Sequence, residues 1–156
     1  MKLPILIPLV AALLALPCFA DPYKTGQKVD AFSAQDQHEN AFTLDPKTTR
    51  FVLVSHDMDT GKAANKVLDG LGAAYLTDRK AVFMANIHGM PGIGRMFALP
   101  KMRKYAHRII LGDDANLIAR FPQQQGKVTV LKLGSGKVTS IRYWDPATEG
   151  VDGFLK

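Results

Sequence analysis

Two apolar runs fix most of what this chain can become. Phe51-Val52-Leu53-Val54 has no polar position, and Ala81-Val82-Phe83-Met84-Ala85-Asn86-Ile87 has one. A strand with one wet face alternates, so an unbroken and largely β-branched run reads as a strand buried on both faces. Such a strand needs helices above and below its sheet. The segment between the runs supplies one. Ala64, Val67, Leu68 and Leu71 recur at i, i+3, i+4 and i+7, the spacing of one helix face. Asp59 or Thr60 can cap its start and Gly72 can end it.

The flanking segments extend the pattern. Val29 to Ala34 and Ala41 to Leu44 read as strands around the polar turn Gln35 to Asn40, an N-terminal hairpin. Met90 to Leu99 carries Ile93, Met96 and Phe97 on one helical face, with Pro91 in the first turn and Pro100 as its stop. Arg108 to Leu111 reads as a short strand, and Ala115 to Phe121 fits helix or strand. Val128 to Leu133 and Val138 to Tyr143 alternate around Gly134-Ser135-Gly136-Lys137, a hairpin signal. Asp145-Pro146 can open a final short helix. The order predicts an α/β fold, a mixed sheet flanked by helices with an N-terminal β-hairpin.

The first twenty residues stand apart. Lys2 is their only charge, Ile5 to Leu16 is apolar, and Cys18-Phe19-Ala20 places small residues before Asp21. This is the layout of a secretory signal peptide over residues 1–20, cut after Ala20, with the domain over 21–156. Pro4, Pro8 and Pro17 make the run too short and too poorly helical for an anchor, so no stable membrane insertion is expected after cleavage. A lipoprotein acceptor at Cys18 fits poorly behind Pro17. The expected compartment is the periplasm. Cys18 is the only cysteine of 156 residues, so the cut chain has no thiol. It cannot form a disulfide framework, a CxxC pair or a cysteine zinc site. The whole chain has 20 basic and 14 acidic residues, a net +6.

The element order resembles the thioredoxin superfamily, in its peroxiredoxin and exported thiol-disulfide reductase branch. Val29 to Phe32 through Asp36-Gln37-His38-Glu39-Asn40-Ala41-Phe42-Thr43-Leu44 is similar to that branch's opening hairpin. Phe51 to Val54 is similar to the strand that leads into the reactive loop. Leu111 to Phe121 resembles the segment before the family's cis-proline loop, and Val128 to Val138 its last hairpin. The resemblance implies a thioredoxin-like fold whose chemistry sits in the loop after the central strand. There the family carries a CxxC pair or a single reactive cysteine. Here the loop reads Ser55-His56-Asp57-Met58-Asp59-Thr60-Gly61. It has no sulfur nucleophile, and a thiolate is what attacks a disulfide or a peroxide. Lys127 stands where the cis-proline falls. A cis bond before a non-proline costs about 3 kcal/mol, so a trans peptide is expected. Asp57-Met58-Asp59 and Ala98 to Arg103 also resemble a group of small exported bacterial proteins sometimes described as flavin dehydrogenases. No G-x-G-x-x-G joins a strand to a helix here, and no cofactor is expected.

Three residue groups remain as candidate sites. Ser55, His56, Asp57, Met58 and Asp59, with Lys127, form the first, a ligand surface. Two carboxylates and an imidazole also suit a hard or borderline cation, although helix capping by Asp59 is the simpler account. The second lies among Met84, His88, Met90, Met96, Met102 and His107. Thioether and imidazole suit copper(I), with His88 and Met90 the local pair, whereas methionine is also a common core filler. The third is the run Arg95, Lys101, Arg103, Lys104 and Arg108, which contains no acid. It reads as a basic patch for an anionic partner or as a solvated face. Nucleic acid is not expected, because the aromatics are not interleaved for stacking. The expected function is non-catalytic binding or scaffolding for a periplasmic protein or an anionic ligand. Copper binding and a thiol-independent oxidoreductase are the alternatives.

Overall fold

A computed structural model describes residues 20–156. The expected signal segment, with Lys2 and Cys18, lies outside them except for Ala20. No helix among the described residues is long and apolar enough to cross a membrane.

The two apolar runs become adjacent parallel strands, β3 (Phe51–Ser55) and β4 (Ala81–Asn86), in register from Phe51 opposite Ala81 to Ser55 opposite Ala85. They sit at the centre of a seven-stranded sheet. Its hairpin edge is formed by β1 (Ser33–Asp36) and β2 (Ala41–Thr43), followed by β5 (Ile110–Gly112). On the far side lie β6 (Val128–Gly134) and β7 (Lys137–Trp144). The order is β2-β1-β5-β4-β3-β6-β7. β5 runs parallel to β4, whereas β1 and β6 are antiparallel to their inner neighbours. This is the mixed sheet that the sequence order predicts.

Successive side chains of a strand point to opposite faces, and both faces of β3 are covered. Phe51 and Leu53 join Ala64 and Leu68 of α1 (Met58–Leu71), Phe83, Ile109 and Trp144 in one core. Val52 and Val54 join Val29, Leu44, Met84, Ile110 and Leu131 in the other. All four residues of the run are fully buried. α1 ends at Gly72 at φ 92°, a backbone angle that a side chain would strain. Leu71, expected on its buried face, is exposed. A short α2 (Ala74–Asp78) follows, for which the sequence offered no signal.

Several boundaries differ from expectation. The first strand is displaced from Val29–Ala34 to Ser33–Asp36, because Val29 is held elsewhere. Its N–H donates to the Gly136 carbonyl, and Lys28 bridges Lys137. Polar Gln35 and Asp36 then pair with Leu111 and Ile110. Asp36 is tolerated there because it accepts from the N–H groups of His38 and Asn40 and pairs with Arg108 at 2.9 Å. Ala115–Ala119 is helical (α4), capped by Asp114. Ser135 (φ 51°) and Gly136 (φ 78°) turn β6 into β7, the two positive angles a tight hairpin of this twist requires. Asp145-Pro146 opens a hydrogen-bonded turn instead of a helix, and the last element is a 3-10 turn at Asp152–Phe154.

α3 (Gly92–Met102) departs most. Pro100 lies inside it rather than ending it, which removes one backbone donor near its end. None of its residues is buried. Ile93, Met96 and Phe97, expected to face a core, are exposed by 72%, 69% and 65%. The helix packs on the core through Met102, with Ala98 and Leu99 half-buried, and leaves Ile93, Met96 and Phe97 open.

Candidate functional site

β3 ends at Ser55 and the chain leaves the sheet through His56 and Asp57 into α1. Asp57 itself is the N-cap, which corrects the expectation of Asp59 or Thr60. Its backbone is extended, and one carboxylate oxygen accepts from the Thr60 N–H at 2.8 Å. The other accepts from the Thr60 hydroxyl at 2.7 Å. Burial alone would raise its pKa, but these bonds, the Asp59 N–H and the charge of His56 hold it below the usual carboxylate range. Asp59 points to water, with Lys62 at 4.0 Å.

His56 turns inward. Its Nε2 lies 3.0 Å from the Thr129 hydroxyl on β6, which in turn donates to the Pro122 carbonyl. A hydroxyl that gives its proton to a carbonyl can only accept from the ring, so Nε2 carries the hydrogen. Burial pushes the imidazole toward its neutral form, against the pull of the Pro122 carbonyl and Asp57. Asn86, at the end of β4, donates its side-chain amide to the His56 carbonyl at 3.1 Å. The loop is thus held from three sides. Thr129, Asn86 and Asn65 are site residues the sequence reading missed. Nothing in their local sequence marks them, because β4, β6 and the middle of α1 meet this loop only in the folded sheet.

Ser55, Asp57 and Met58 line a cavity of about 210 Å³ between α1 and α3. Its wall is apolar, formed by Ala85, Met90, Phe97, Ala98 and Met102. Met58, 49% exposed, stands at its edge. Lys127 does not line it. Its N–H closes a turn onto the Gln124 carbonyl, and no cis peptide bond occurs among the described residues.

The methionine and histidine group is dispersed. Met84 is fully buried under the sheet, Met90 and Met102 line the cavity wall, and Met96 faces solvent. His88 sits on the exposed turn after β4, its N–H bonded to Asn86. His107 is 1% exposed and bonded to Asn65 at 2.9 Å. No three His, Cys, Asp or Glu side chains gather as a metal cluster among the described residues.

The basic run is also divided. Arg95 grips Asp113 through two bonds of 2.6 Å. Arg108 pairs with Asp36, and Arg103 donates to the Gln37 carbonyl with Glu39 at 3.9 Å. Three of its five charges therefore face acids distant in sequence. Lys101 lines the cavity instead.

No family model matches this sequence, and no curated protein matches it. Solved structures do match the fold. The thioredoxin domain of a thiol-disulfide oxidoreductase from Bacteroides vulgatus aligns with TM-score 0.54 and 15% identity, covering 85% of this chain and 99% of its own. A putative thiol:disulfide interchange protein from Chlorobium tepidum aligns with TM-score 0.54 and 15% identity, covering 80% and 89%. A peroxidoxin from Mycobacterium tuberculosis aligns with TM-score 0.52 and 15% identity, covering 78% and 86%. The fold is thioredoxin-like. Between residues 20 and 156 the chain has no cysteine.

Proposed function

We propose that this is an exported periplasmic protein, cut after Ala20, that binds a partner instead of transforming one. The loop that carries thiol chemistry elsewhere in this fold serves as its contact surface. One observation carries the reading. The Ser55–Met58 loop has no thiol, its acid and imidazole are both committed to holding the loop, and it opens onto an apolar cavity beside uncovered Ile93, Met96 and Phe97. A contiguous apolar surface left open marks a contact site more often than chance.

The test has two arms. The purified exported form should neither reduce insulin nor consume peroxide, and thiol-independent turnover of either would overturn the reading. Capture from periplasmic extract should retain a partner with the wild type and lose it with Met58→Asp or Phe97→Asp. Equal retention by both variants would remove the loop and α3 from the contact.

A second reading, copper(I) binding, is favoured by Met58, Met90 and Met102 sharing one cavity wall, since thioethers suit that ion. Stoichiometric copper in protein from a copper-supplemented periplasm, lost in Met90→Ala or Met102→Ala, would support it. Metal-free protein from the same preparation would dismiss it.

A further inference from the structure

The cavity under the Ser55–Met58 loop offers two inward hydrogen-bond donors beside the Asp57 carboxylate, whose oxygens both face Thr60. Asn65 of α1 is 3% exposed and lines it. The Oδ1 of Asn65 lies 2.9 Å from His107 Nε2. Nδ1 of that ring is buried without a partner, so the hydrogen of the neutral imidazole belongs on Nε2, where an acceptor waits. Asn65 Oδ1 is thereby used, and its amide hydrogens are turned away from His107. No group among the described residues receives them. The Ser55 hydroxyl, on a side chain 1% exposed, lines the same cavity and likewise has no partner. Its space is kept open by Gly61, where a Cβ would stand 3.2 Å from the hydroxyl oxygen.

Both Asp57 oxygens hold Thr60, and Asn86 Oδ1 holds the His88 N–H. Lys62 and Lys101 are exposed residues that also line the cavity, so their charges belong at its mouth. Ser55 and Asn65 are more than nine-tenths buried, yet neither donor is among the fully enclosed unpartnered atoms, so both stay open to a molecule that enters the cavity. The volume of about 210 Å³ lies below the roughly 300–1,000 Å³ of sites for drug-sized ligands.

We propose that this cavity is a binding site for a small organic carboxylate with a compact apolar body. The body lies against Met90, Phe97 and Met102, its oxygens accept from Ser55 and Asn65, and Lys62 and Lys101 supply the field that draws the anion in. The proposal rests on the binding reading above and names the ligand class of the same site.

Benzoate, hexanoate and benzylamine separate the possibilities in the full exported chain, followed by amide resonances as each is added. Benzoate or hexanoate should move the Asn65 side-chain amide and the backbone of Ala85 and Asn86, saturating by millimolar concentration. Benzylamine, with a similar body and the opposite charge, should not. The surface variant Lys62→Glu, Lys101→Glu should weaken carboxylate binding about tenfold, the scale of reversing two exposed charges. Ser55→Ala should weaken it while leaving the fold spectrum unchanged. Equal binding of benzylamine would reduce the site to an apolar hollow and overturn the proposal. So would an unmoved Asn65 amide, or shifts confined to the separate hollow at Phe42, Thr48 and Leu76. Each of these three results leaves partner capture by the Met58 and Phe97 surface standing. Insulin or peroxide turnover would fell the binding reading itself.

Discussion

Acidification should loosen this protein from inside, and His107 sets where. Its ring is 1% exposed, stacked near Tyr105 at 5.7 Å and edge-on to Phe83 at 6.0 Å. Burial pushes its pKa down from 6.5 to about 4, although the Asp69 carboxylate pulls the other way. The unfolded chain therefore takes up a proton near pH 6.5 that the folded chain refuses until near pH 4. Between those values the unfolded state binds more protons, so stability falls as pH falls. The contribution is fully present above 6.5. A gap of about 2.5 at 1.36 kcal/mol each amounts to about 3 kcal/mol by pH 4, and about 2 kcal/mol is already lost at pH 5. That is a large share of the 5–15 kcal/mol typical of a domain. Urea unfolding of wild type and His107→Leu at about pH 7 and pH 5 would read it. The variant starts less stable, having lost the bond to Asn65, but its stability should decline less across the window. His56 titrates in the same direction and remains in both chains, so the difference isolates His107. Equal declines would refute the reasoning, as would a His107 ring resonance titrating near 6.5.

Other substitutions test separate parts of the structure. Asp57→Ala removes the cap of α1 and should cost about 1 kcal/mol in thermal or urea unfolding; an unchanged midpoint would mean that another group caps the helix. Phe83→Ala, at a fully buried site between sheet and helices, should cost about 3–5 kcal/mol. Gly112→Ala would set a Cβ 2.6 Å from Ile118 and 3.3 Å from the Ala85 carbonyl, and should destabilise by about 1–3 kcal/mol as Ile118 moves aside. Arg95→Ala breaks the best-formed surface ion pair, yet its partners are about one-third and one-half exposed, so the loss should stay within about 1 kcal/mol and shrink in salt.

What could be read in the sequence follows from what each segment touches. β3, β4 and the β6–β7 hairpin were legible because their own residues settle their state: unbroken apolar runs buried on both faces, and a Ser135-Gly136 turn flanked by alternation. β1 was misplaced because its register is decided by partners far along the chain, Arg108 for Asp36 and the Gly136 carbonyl for Val29. The acidic neighbours of the basic run were hidden for the same reason. Asp113, Asp36 and Glu39 reach its arginines only through the sheet order. Asp59 was a reasonable cap by position, but the strand ends at Ser55 and the helix begins at Met58, so Asp57 holds the extended backbone that a cap requires.

α3 carries the most consequential difference between expectation and structure. Spacing alone put Ile93, Met96 and Phe97 on one face, and that much is correct. An apolar face implies burial only if something covers it, and here the helix rests on the sheet through Met102 while the other three stay exposed. Leaving three large side chains in water forgoes roughly 1.5–3 kcal/mol each. A chain with a stability margin of that order gains by retaining them if a partner buries them later. The same helix supplies Met90-proximal Gly94, Phe97 and Lys101 to the cavity beneath the thiol-free loop. The open face and the donor-lined cavity are therefore two sides of one element. A ligand filling the cavity should alter how that face is presented, so Phe97→Asp should weaken both partner capture and carboxylate binding, whereas Ile93→Asp should weaken capture alone. If Ile93→Asp changed both equally, the two surfaces would be one site.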